Sequence, residues 1–164
     1  MSNALATSSA RTADTTAWQR ASTPERLVQL LLALGCWTVL GLAFSLQPAA
    51  DGLGTHEQLG LAPCSFYQLT GRPCPSCGMT TAFAHMAHAQ PLQAVIVQPM
   101  GALLFILTAI VAVALTITSL TGRSWLHLAY QPTAPLWLYG LLALWLASWG
   151  YKIAYGQILG HFGP

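Results

Sequence analysis

The sequence predicts an all-α integral membrane protein, with three transmembrane helices and a short interfacial or re-entrant helical hairpin between the first two. Three observations predict it. Charged residues make up only 6% of the 164 residues, against roughly 25% in an ordinary soluble domain. Apolar residues make up 54%, and the mean hydropathy is +0.54. Three long apolar runs punctuate the chain. Six basic and four acidic residues cannot cover the surface of a soluble fold of this size. The net charge of +2 is carried by scattered basic residues, with no stripe to neutralise phosphates, so nucleic-acid binding is excluded.

Residues 1–25 are rich in Ser, Thr and Ala and predict a disordered tail. Residues 26–164 form the helical membrane domain. Ser22 or Thr23 reads as an N-cap, with Pro24 in the first turn. The run from Leu27 to Leu46 is uncharged and contains eleven Leu, Val or Phe residues. At 1.5 Å per residue it is about 30 Å long, the thickness of a hydrocarbon core. It is longer than the apolar core of a signal peptide, and Pro48-Ala49-Ala50 is a poor cleavage site, so a retained anchor is expected.

Met100–Leu120 is the second span, with Thr108, Ala112 and Thr116 forming a small-residue stripe suited to close helix packing. The third, Leu136 to about Ile153, is Trp-rich. Trp137 and Tyr139 lie at one end and Trp149 and Tyr151 at the other, as in interfacial belts. Ala143 and Ala147 offer another close contact, and Pro132 and Pro135 limit the helix start. The expected partners are therefore the lipid bilayer and another membrane protein or a second copy docking through these small-residue faces. Arg11, Arg20, Arg26 and Arg123 on one side, against Arg72 and Lys152, favour a cytoplasmic N-terminus in a multi-pass inner-membrane protein. Asp14, Glu25, Asp51 and Glu57 all lie outside the spans. No intramembrane acid marks an ion path, and no catalytic acid pair, nucleophile–base set or phosphate loop is visible.

The chemistry is concentrated in residues 63–99. Cys74-Pro75-Ser76-Cys77-Gly78 follows Cys64, while Cys36 sits inside the first span as a small packing residue. Two thiolates at this spacing can share one Zn²⁺, with Cys64 as third ligand and His88 or His85 as fourth. The same pair can be a dithiol or disulfide, one thiol being activated by the helix that follows. A bridge from Cys64 to Cys74 or Cys77 is a further alternative on an oxidising face. Gly78 stands where the axial His of a c-type haem site would be. Gly78 is expected in a turn that only glycine enters easily, and the Thr80 hydroxyl is expected to bond the backbone near Cys77. After Gly78, Met79, Phe83 and Met86 share one helical face and Thr81, His85 and His88 another, until Pro91 breaks the helix. Leu92, Val95 and Ile96 begin a second short turn up to Pro99. Neither piece can span a bilayer.

The stretch 63–101 resembles the domain-of-unknown-function 2752 family of small bacterial integral membrane proteins. The family pattern is matched by Cys64, Thr70, Gly71, Cys74, Pro75, Cys77, Gly78, Thr80 and Ala82, with His88 and Pro99 where its His and Pro fall. Thr81, Ala89 and Gln98 stand where the pattern has Arg, Gly and Asn. The resemblance implies a multi-span helical membrane protein and no particular reaction. Two functions remain open. One is an accessory membrane protein whose Cys64, Cys74, Cys77 and His88 staple the hairpin, by zinc or a disulfide. The other is a membrane thiol–disulfide oxidoreductase with Cys74 attacking, Cys77 resolving and Cys64 relaying.

Overall fold

The computed structural model describes residues 21–124 and 134–158. Residues 1–20, including Arg11 and Arg20, and the loop containing Pro132 lie outside the described residues. The described chain is built of helices: α1 (Thr23–Ser45), a 3-10 turn (Thr55–Leu59), α2 (Ser65–Thr70), α3 (Met79–Ala87), α4 (Pro91–Val97), α5 (Pro99–Thr121) and α6 (Ala134–Ile158). Ser22 takes the N-cap position of α1 with extended dihedrals and Pro24 in the first turn, but its hydroxyl caps nothing. Helices α3, α4 and α5 follow one another because Pro91 and Pro99 each start a helix they could not continue. The 3-10 turn and α2 carry no apolar periodicity long enough to be legible in the sequence.

By length and hydropathy α1 and α5, each 23 residues, can cross a membrane. Each is about 34 Å long. They are antiparallel neighbours, stitched where α1 begins and α5 ends. The Arg26 guanidinium donates twice to Ser119 O, at 3.1 and 3.0 Å. Gln29 Nε2 donates to Arg123 O at 3.2 Å, and Ala21 N to Gly122 O at 2.9 Å. The Arg26 pair caps a last-turn carbonyl of α5, which has no partner within the helix, and the other two bonds hold the residues just after it.

The pair is patterned inside out. The buried residues of α1 are Gln29, Ala33 and Ala43. In α5 they are Met100, Gly101, Ala102, Ala112, Leu115 and Ser119. Large apolar side chains such as Leu31, Leu34, Phe44, Ile110 and Leu120 point outward. A core helix of a soluble protein has the reverse arrangement; small and polar residues inside with Leu and Ile outside is how helices pack in lipid. Within the small-residue stripe of α5, Ala112 is fully buried and Thr116 accepts a bond from Trp37 Nε1 of α1 at 3.2 Å. That face therefore serves contact within the chain.

At the other end of the pair, α3 and α4 pack on α5 through Ala82, Ala94 and Ala102 with Met86 beside them. The approach is close: a Cβ on Gly101 would lie 2.8 Å from that of Ala82. Helix α6 contains the third expected span. Its Trp and Tyr residues and Lys152 lower its hydropathy, so it does not join α1 and α5 as a candidate span. Its described attachments to the rest of the chain come from Ser148, Trp149 and Lys152, near its C-terminal end. Ser148 Oγ accepts from Met100 N at 3.2 Å. The end of α6 therefore sits beside the start of α5, next to the cysteine segment.

Candidate metal centre

Cys64 occupies the N-cap position of α2, where the chain turns from extended into helix. Cys74 and Cys77 lie in the turn just ahead of α3. Cys77 N donates to Cys74 O at 3.0 Å and Met79 N to Ser76 O at 3.1 Å. Gly78 closes the turn as N-cap of α3 with φ +80° and ψ 0°, the left-handed conformation that glycine enters without strain. The three sulfur atoms all lie within 4.8 Å of one another. Cys74 Sγ and Cys77 Sγ are 3.1 Å apart and unbonded. Cys36, half-buried in α1, is outside the group.

The donor set fits a thiophilic cation. Zn–S bonds of about 2.3 Å at tetrahedral angles place two sulfurs about 3.8 Å apart. The three thiols already stand close to that spacing. The two thiols of the turn are also unlike each other. Burial raises the Cys74 thiol, but hydrogen bonds from Ser76, Cys77 and Cys64 outweigh it and bring it down to about 7. Burial and the adjacent Cys74 push Cys77 up to about 12. In metal-free protein, iodoacetamide should therefore label Cys74 first, at a rate that rises as the pH passes about 7, with Cys77 lagging throughout. Peptide mapping after a brief pulse checks this; equal labelling of the two would overturn the asymmetry.

Three side chains from later in the chain grip the turn by its carbonyls. Gln98 Nε2 donates to Pro75 O at 3.1 Å. Trp149 Nε1 donates to Pro73 O at 2.9 Å. Lys152 Nζ donates to Cys77 O at 2.6 Å. Gln98 is fully buried and Lys152 nearly so. The sequence reading used Lys152 only to orient the chain and Trp149 only as a belt residue. The available signal was a single ammonium in an otherwise apolar run, one turn from a Trp on the same helix face.

His88 and His85 are not brought to the cysteines. His88 Nε2 meets Leu46 O at 3.0 Å, and its ring stacks on Phe44 at 5.5 Å. A carbonyl only accepts, so Nε2 carries the proton and has no lone pair for a metal. His85 Nδ1 is 2.7 Å from Gln90 Oε1. His88, expected as the fourth ligand, ties the end of α1 to α3 and is not among the three clustered donors. A cavity of about 430 Å³ is lined by Cys64, Cys77, His56 and Glu57, of which the last two were not singled out in the sequence.

Thr80 makes no hydrogen bond among the described residues; the hydroxyl that matters is its neighbour's. Thr81 is buried and its Oγ1 is 2.8 Å from Thr55 Oγ1, which in turn accepts from Ala49 N at 2.9 Å. The place of Thr81 is a packed one with a neutral partner. Comparison with curated proteins gives no match, and neither does comparison with solved structures. The segment holding all three clustered cysteines and the first half of α5, residues 64–112, matches the family model described as "Protein of unknown function (DUF2752)".

Proposed function

We propose that residues 26–164 form a three-span protein of the bacterial inner membrane, in which Cys64, Cys74 and Cys77 bind zinc as thiolates and staple the α2–α4 segment to the bundle. The observation that carries this reading is the convergence of three sulfurs from two separate turns. Zinc bound there would supply a fixed crosslink. The fourth position would fall to water or to Glu57, which lines the same cavity as Cys64 and Cys77. The inside-out patterning of α1 and α5 supports insertion in lipid. The attachment of α6 to the start of α5 and to the cysteine turn supports a third crossing that puts that segment and the C-terminus outside.

Two measurements test this. Metal analysis with thiol counting on purified protein should find zinc and no reactive clustered thiol until a chelator is added. Three freely alkylated thiols without metal would overturn the staple. A reporter fused after Pro164 should read as periplasmic and one in the 124–133 loop as cytoplasmic; opposite readings at both would reverse the topology.

The unlike thiols favour a second reading, thiol–disulfide exchange. The Cys74 thiolate attacks a substrate disulfide, forming a mixed disulfide and releasing one substrate thiolate. Cys77, on losing its proton, displaces the other, leaving a Cys74–Cys77 disulfide. In that case one pair resists alkylation until reductant is added, and chelators have no effect.

A further inference from the structure

A second cavity of about 470 Å³ shares Asp51 and Tyr67 with the one at the cysteines, and Lys152 lines it. Lys152 is only 8% exposed. Its ammonium has three N–H donors, and its hydrogen bond is to Cys77 O. Among the described residues no carboxylate is paired with it. A buried ammonium whose nearest acidic groups are the Cys77 and Cys74 thiols, and whose hydrogen bond is to one carbonyl, has N–H donors to spare, an arrangement that folded proteins avoid. Asp51, which is exposed, lines the same cavity and has no cation partner among the described residues. Ile96, Val97 and Tyr155 supply apolar wall. Beside it, Leu92 of α4 is 79% exposed, and Val95 and Ile96 are exposed with it. That apolar surface at the start of α5 suits the boundary between hydrocarbon and headgroups.

One cation and one anion, unpaired with each other, in a cavity with an apolar flank are complementary to a zwitterionic amphiphile. We propose that this cavity binds a phosphoethanolamine headgroup, with phosphate oxygens on Lys152 and the primary ammonium on Asp51, and the acyl chains leaving along Ile96 and Val97. The phosphate fills the unused N–H donors of Lys152. A primary ammonium can donate to Asp51, which a choline headgroup cannot. The volume suits a ligand of this size. This inference rests on the membrane reading but not on the metal.

The test is native mass spectrometry of the full chain in detergent, offered phosphatidylethanolamine, phosphatidylcholine and phosphatidylglycerol in equal amounts. Wild type should retain phosphatidylethanolamine over the other two by about threefold, the scale of one exposed charge pair. Asp51→Asn should lose the preference over phosphatidylglycerol, and Lys152→Gln should lose retention of all three. Because Lys152 also holds Cys77, the surface variant Asp51→Asn carries the test if Lys152→Gln does not fold. Its metal content should equal wild type, which separates this site from the thiols. Soluble glycerophosphoethanolamine distinguishes the ligand's source: displacement of the lipid assigns recognition to the headgroup alone, and its failure assigns it to the membrane lipid. Equal retention of the three lipids by wild type, or unchanged selectivity in Asp51→Asn, would overturn the proposal.

Discussion

Cys74→Ser and Cys77→Ser should each strip the protein of metal and lower its level in the membrane. A site of three thiolates has no redundancy: with one sulfur replaced by a hydroxyl, the remaining two cannot hold a thiophilic ion in competition with water. The expected loss of affinity exceeds about 100-fold, the upper end of what removing a merely supporting residue costs. Cys64→Ser should behave the same way, because its sulfur belongs to the same group. Cys36→Ser is the control, since Cys36 sits apart in α1, and it should change neither metal content nor abundance. The exchange reading makes the opposite forecast for Cys74→Ser, a well-folded and abundant protein that lacks activity. Membrane levels of these four variants, measured with metal content, decide between the two. Wild-type abundance for both Cys74→Ser and Cys77→Ser would sink the staple.

Gly78→Val should be nearly as damaging, for a reason unconnected with ligation. At φ +80° a β-branched residue is strained, at about 1–2 kcal/mol. There is also no room. A Cβ at Gly78 would lie 3.0 Å from Gly52 O, 3.2 Å from Val97 Cγ1, and closer still to the Lys152 ammonium. Lys152 could move only by releasing Cys77 O, and overpacking of this kind adds about 1–3 kcal/mol. The summed cost of about 2–5 kcal/mol is a large fraction of the about 5–15 kcal/mol by which a typical domain is stable. Pulse proteolysis in detergent, run without metal, should show the turn and α6 loosening together. A Gly78→Val protein as resistant as wild type would remove the steric argument.

The helices were legible because their signals are local. Uncharged runs of 20 or more residues, with Pro24, Pro91 and Pro99 as punctuation, place α1, α3, α4 and α5 to within a few residues. The cysteine spacing and Gly78 were legible for the same reason. Which donors lie beside the sulfurs was not legible, because two histidines on one face of α3 look alike in sequence. Only the packing of α1 shows that His88 is bonded to Leu46 O and stacked on Phe44. Thr81 was passed over for Thr80 because a helical period fixes relative faces but not which of them is turned inward. The grip of Gln98, Trp149 and Lys152 on the turn was invisible because it depends on pairings across 23, 76 and 75 residues. No pattern within a single segment records such pairings.

That grip has a consequence for biosynthesis. The turn from Pro73 to Gly78 leaves the ribosome well before Trp149 and Lys152 have been made, so its carbonyls wait for partners that arrive with the last helix. Until then the thiols stand in a loop held by Gln98 alone, open to metal, oxidant and protease. Contacts between such distant positions form late, and the order of events is therefore built into the chain: α1 and α5 pair first, and α6 reaches the turn last. A nascent chain arrested before Trp149 should let a membrane-impermeant reagent reach all three thiols faster than in the finished chain, where they are half-buried.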